Sequence, residues 1–266
     1  MNYHGIILFC LVYILHTSCE QKTEWDIHQG ENYLIADCII TNELKLHELK
    51  LYWSVDQLNE NPEGFSGAVL ELSDGMNSVI FDEVAGEPGR YLSHIPFMAS
   101  AGKIYRLTLS YHARSDTAYA IMTGVSPLEP FETNGSGKYF RYNFNPTAPA
   151  HMLELYYSWS SDPQYCDQYG ACEASEVYYN LGNIDVEKIF APDKQEVLFP
   201  HNTRIIRRKY SLSPDHQEFI RSLLLETEWR GGVFDTEQGN VPTNFQNGVR
   251  GWFAACNVVS DTVYFE

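Results

Sequence analysis

The sequence predicts a mainly β protein: an N-terminal immunoglobulin-like β-sandwich, then a second β-rich domain with one helix in the C-terminal half. Short segments with period-two alternation follow one another from residue 33 onward. Glycine, proline and asparagine clusters punctuate them at the spacing of hairpin turns. Helical spacing with a start signal and a stop signal is clear only over residues 213–229.

The chain opens with the apolar run 6–19, IILFCLVYILHTSC. It is too short for a membrane-spanning helix and has the length of a signal-peptide core. The small pair Thr17-Ser18 directly precedes Cys19. Residues 1–19 therefore read as a bacterial lipoprotein signal with Cys19 as the lipidated residue, in preference to an ordinary secretory signal. Residues 20–32, EQKTEWDIHQGEN, are polar and fit a tether.

About seven strands are expected within 33–125: Tyr33–Thr41, Leu44–Ser54, Ser66–Leu72, Ser78–Asp82, Gly89–Pro96, Ile104–His112 and Ala118–Met122. Alternation is plainest in Tyr105-Arg106-Leu107-Thr108-Leu109-Ser110-Tyr111. Prolines and glycines cluster after Gly124, so a domain boundary is expected near Val125–Phe131. The second domain, 126–266, offers strand patterns at 138–144, 151–160, 176–179, 184–190, 197–199, 203–212, 249–259 and 262–265. Its helix starts with Ser213 as N-cap and Pro214 as first residue. Phe219, Ile220, Leu223 and Leu224 give it one apolar stripe, and Arg230-Gly231-Gly232 stops it.

Formal net charge is −17, which argues against a nucleic-acid partner. It also argues against direct contact with anionic head groups, so membrane attachment would come through the N-terminal lipid. Of the six cysteines, Cys166 and Cys172 bracket a short polar loop, and in an exported protein that spacing suggests a disulfide closing a hairpin tip. Cys38 and Cys256 sit in apolar strand patterns as small buried hydrophobes; whether they pair stays open.

No signature of catalysis, phosphate binding or metal binding is present, so no catalytic residue, metal or cofactor is assigned. His47-Glu48 would face opposite sides of a strand, and His216 in the helix's first turn reads as solvated. Aromatics crowd into one segment: Tyr156, Tyr157, Trp159, Tyr165, Tyr169, Tyr178 and Tyr179, with Asp162, Asp167, Glu173 and Glu176 among them. Tyr156 and Trp159 read as core; Tyr165, Asp167 and Tyr169, on an expected exposed loop, are the candidate ligand or partner surface. The 231–244 connection, with Asp235 and Glu237, reads as structural rather than calcium-binding.

Several short segments occur in an order shared with a known family. They are Leu34-Ile-Ala-Asp-Cys-Ile-Ile-Thr41, Ser66-Gly-Ala-Val69, Gly89-Arg-Tyr91 and Gly102-Lys-Ile-Tyr-Arg-Leu107. Then come Tyr210-Ser-Leu-Ser-Pro214, Gly231-Gly-Val-Phe-Asp235, Gly239-Asn-Val-Pro242, Asn244 and Gly251-Trp-Phe-Ala-Ala255. The sequence resembles the Bacteroidetes outer-membrane lipoproteins catalogued as domain of unknown function DUF4249. That resemblance implies an exported lipoprotein, often encoded beside TonB-dependent outer-membrane receptors, and transfers no catalytic residue. The expected role is a lipid-anchored accessory or binding protein of the outer membrane. The alternatives are a surface adhesion or structural module and a glycan hydrolase.

Overall fold

A computed structural model describes residues 32–55, 60–134, 139–143, 145, 147–181, 197–227 and 241–265. The expected leader, the Cys19 lipidation site, the tether up to residue 31, the 184–190 strand pattern and the loop bearing Asp235 and Glu237 lie outside the described residues.

Alternation in the sequence becomes alternation of faces in twelve strands. They are β1 (Leu34–Thr41), β2 (Glu48–Trp53), β3 (Val69–Ser73), β4 (Ser78–Glu83), β5 (Arg90–Ser93), β6 (Ile104–Tyr111), β7 (Arg114–Ile121), β8 (His151–Ser158), β9 (Glu173–Asn180), β10 (Thr203–Ser211), β11 (Arg250–Cys256) and β12 (Val258–Phe265). Helix α1 spans Pro163–Tyr169 and α2 spans Pro214–Thr227. Among the described residues the protein is mainly β, with two sheets.

The first sheet has eight strands in the order β11-β1-β2-β5-β4-β3-β6-β7. Its inner face supplies Leu34, Ala36, Cys38 and Ile40 from β1, with Leu49, Leu70, Phe81, Tyr91, Leu107 and Leu109 from its neighbours, all in one buried cluster. The two ends of the strand order meet. Thr123 bridges Cys256, and Ala118 bridges Phe245. Asn244 fastens this closure: its amide donates to the carbonyls of Tyr119 and Phe253, and its oxygen accepts from the Phe253 N–H. Fully buried Asp116 accepts from the N–H groups of Gln246, Asn247 and Val249, which shapes the connection entering β11.

β11 pairs in parallel with β1, so a strand from the expected second domain is an edge of the first sheet. The expected run 249–259 is two strands. Asn257 and Ser211 exchange hydrogen bonds of 2.9 Å, and there the chain leaves the first sheet for the second. That second sheet has the order β12-β10-β8-β9. One face packs with α2 against the outer side of β11, joining Met152, Tyr210, Leu212 and Val258 to Ile220, Leu224, Trp252 and Ala254. The other face buries Leu153, Leu155, Tyr157 and Ile205 beneath α1 and Phe199. Residues 197–199 are not a strand, and among the described residues 139–143 of the expected 138–144 run there is an isolated Thr133–Phe140 bridge in place of a strand.

The 125–131 stretch is clamped to the second sheet by two buried cations. Lys209 Nζ donates to Glu129 at 2.7 Å and to the Pro127 carbonyl at 3.1 Å. Arg207 pairs bidentately with Asp261 and donates to the Glu129 carbonyl. A buried cation must be paired where it sits, so these side chains fix the path of the crossover.

Candidate functional site

Cys166 and Cys172 form a disulfide at the tip of the β8–β9 hairpin, as their spacing suggests. The expected loop between them is instead mostly helix. Asp162 caps α1 by accepting from the Tyr165 N–H, Pro163 opens it, and Gly170 ends it in the left-handed region. Tyr165 is half-buried: its ring meets Trp159 edge to face, and its hydroxyl donates to the Leu198 carbonyl at 3.2 Å. Asp167 and Tyr169 lie on α1, with side chains outside the described ones. Trp159 is core, whereas Tyr156 points outward and donates to Glu173. The period-two register explains the difference, since Leu155 and Tyr157 take the inward positions.

Much of the acid in the aromatic segment is already satisfied. Glu176 accepts from the Tyr157 and Tyr178 hydroxyls and from the Val197 N–H. On the sheet's other face, Glu154 accepts from Tyr210, and Arg208 pairs with Glu43 at 2.5 Å. Burial first, then the Glu154 hydrogen bond, pushes the Tyr210 phenol up.

A different face leaves polar groups open. On the outer side of β1, β2 and β11, beneath α2, lies a cleft of about 520 Å³. Register builds its floor in two rows. Tyr52, Ile35 and Arg250 stand abreast in one; Lys50, Asp37 and Trp252 stand abreast in the next. Tyr33, Phe219, Leu223, Val241 and Pro242 wall it. Gly251 lets β11 approach this closely: a Cβ there would lie 2.2 Å from the Ala36 carbonyl oxygen, at a φ of +91°.

The walls are held by stacking. Phe219 lies nearly parallel to Trp252 at 4.7 Å, and His216 lies nearly parallel to the same indole at 6.1 Å. His216, expected to be solvated, is buried, and desolvation lowers its pKa to about 4. The three-residue spacing of His216 and Phe219 puts both on the α2 face that covers Trp252. The His216 Nδ1 is 3.7 Å from Cys256 Sγ. Burial pushes that thiol up to about 12, so the pair is a neutral thiol beside a neutral imidazole, not an activated nucleophile. Cys38 and Cys256 are both free; they occupy opposite faces of the β1–β11 pair, Cys38 in the inner core and Cys256 in the second.

Arg250 lies over the Tyr33 ring at 5.1 Å. Among the described residues its guanidinium N–H groups have no acceptor besides this ring contact. Asp37 opens into the cleft from a strand otherwise apolar or buried. Partial withdrawal from water raises its carboxyl above the ordinary 3.8, with Lys50 opposing and Glu48 reinforcing the shift. Among the described residues neither the Asp37 nor the Arg250 side chain has a hydrogen bond or ion pair, though Lys50 stands beside Asp37. The sequence marked Asp37 only as part of a resemblance; its signal was a lone acid at an outward position of LIADCIIT. Arg250 and Tyr33 had no comparable signal, because only the parallel β1–β11 pairing brings them together.

A search of curated proteins returns no match to this chain. The family model described as "Domain of unknown function (DUF4249)" matches residues 20–262, nearly the whole stretch that carries the fold and the cleft. The chain therefore belongs to the DUF4249 family.

Proposed function

We propose that this protein is a lipid-anchored binding protein of the outer membrane that acts beside a TonB-dependent nutrient transporter, with the cleft beneath α2 as its ligand site. The observation that carries this reading is the cleft itself: one carboxylate and one guanidinium without partners among the described residues, set in aromatic and aliphatic walls. Concave, largely apolar sites with a few convergent polar groups are what small ligands select. Tyr33, a cleft wall, follows directly on the polar 20–32 segment expected to lead from Cys19.

The opposite end of the first sheet supports the partner half of the proposal. β1 runs from Tyr33 toward Thr41, and the antiparallel pairings bring the 73–78 turn, the 93–104 connection and the first residue of β6 to that far end. Leu44, Leu46, Met76, Ile95, Met98 and Ile104 are exposed there. Lys103 and Asp74 pair among them, so the rim is apolar and locally neutral on a chain of net charge −17. Such a surface favours a protein partner over solvent.

Affinity purification of the full chain from membranes in mild detergent tests the proposal. Co-isolation with a large outer-membrane β-barrel is expected; clean isolation of the chain alone contradicts it.

A further inference from the structure

Resting on the ligand-site reading above, we propose that the cleft binds a short peptide with free termini, its carboxylate on Arg250 and its ammonium on Asp37. Neither side chain is hydrogen-bonded or ion-paired among the described residues: Asp37 has only Lys50 standing beside it, and Arg250 lies over the Tyr33 ring. A ligand carrying both charges engages both, where a singly charged ligand engages one. The Arg250 guanidinium, held over Tyr33, carries the planar fork of donors that takes a carboxylate bidentately.

Spacing sets a minimum length for the ligand. Arg250 stands opposite Ile35, and Asp37 is one same-face step further along β1. Two residues of strand advance about 7 Å. The guanidinium is drawn over Tyr33, on the side of Ile35 away from Asp37, so the charges stand at least this far apart and an extended dipeptide is the shortest ligand that spans them. The cleft volume of about 520 Å³ leaves room for two side chains against Leu223, Phe219 and Ile35.

The Trp252 ring is packed by Phe219 and the Tyr33 ring by Arg250, which leaves Tyr52 as the aromatic wall without a ring or cation partner among the described residues. The rest of the lining toward the ligand is mostly aliphatic surface and the two charges.

Isothermal titration calorimetry on the full chain in detergent micelles tests this. The probes are leucyl-phenylalanine, its C-terminal amide, its N-acetyl form, and maltose as the neutral saccharide. The free dipeptide is expected to saturate one site, and amidation or acetylation to weaken binding by about tenfold or more, each removing one charged contact. Arg250→Leu should abolish the discrimination between acid and amide, and Asp37→Asn that between free and acetylated amine. Both side chains are exposed, so the variants should keep the wild-type circular dichroism spectrum. Equal affinity for all three peptides, or no peptide binding, overturns the inference. Binding of maltose alone also overturns it while leaving the ligand-site reading intact, and loss of β-barrel co-purification from membranes counts against that reading instead.

Discussion

Single residues shape the cleft and the core beside it. Gly251 occupies a left-handed conformation pressed against the β1 backbone. Gly251→Ala should destabilise the protein by at least about 2 kcal/mol, from backbone strain plus the displaced β1–β11 contact; urea denaturation checks this. His216 makes the second residue-scale prediction. Its folded pKa of about 4 lies below its ordinary 6.5, so between those values the unfolded chain binds the extra proton. The stability that neutral His216 allows is therefore full above pH 6.5 and is lost as pH falls toward 4. The loss is roughly 2–3 kcal/mol at pH 4.5. His216→Leu removes this dependence. The stability difference between wild type and variant, measured by urea denaturation at pH 7.5 and 4.5, should shift by that amount in the variant's favour at the lower pH.

At the scale of elements, buried polar side chains act as fasteners where backbone ladders end. Asp116 satisfies three N–H groups of the 246–249 turn from a fully buried position. Asp116→Ala should cost about 3–5 kcal/mol by leaving those donors unmet, read as a lowered urea midpoint with an unchanged m-value. The hairpin tip is fastened differently, by the α1 cap and the Cys166–Cys172 disulfide. Replacing both cysteines by serine should cost about 2 kcal/mol on the loop-closure estimate. Hydrogen exchange should rise over residues 159–172 and stay unchanged in the first sheet. Most of these elements are legible in the sequence, because alternation is a local signal: β1 to β6, β8 and β10 lie where the pattern puts them, and α2 begins at its Pro214 signal. What is not legible depends on distant contacts. The short α1 hides in a polar stretch read as loop, and the 249–259 run gives no local sign that Asn257 switches sheets.

For the whole molecule, the decisive event is the return of β11 to pair with β1, which closes the first sheet and creates the outer face on which the cleft sits. Local patterning cannot reveal this, since a parallel pairing across more than two hundred residues has no local signature. It is also why the aromatic hairpin drew attention while Asp37 and Arg250 did not: aromatic density is visible in a window, and a site made of β1, β2, β11 and α2 is not. The proposed anchoring carries its own prediction at this scale. Cys19→Ala should move the protein from the membrane fraction to the soluble one, since a lipid is the attachment an acidic chain of this kind requires. Photo-crosslinking in intact cells from position 98, on the exposed apolar rim, reads whether the tethered protein works beside a transporter. A covalent adduct with an outer-membrane β-barrel receptor is expected; a rim that yields no such adduct while the protein is folded and membrane-bound rules that role out.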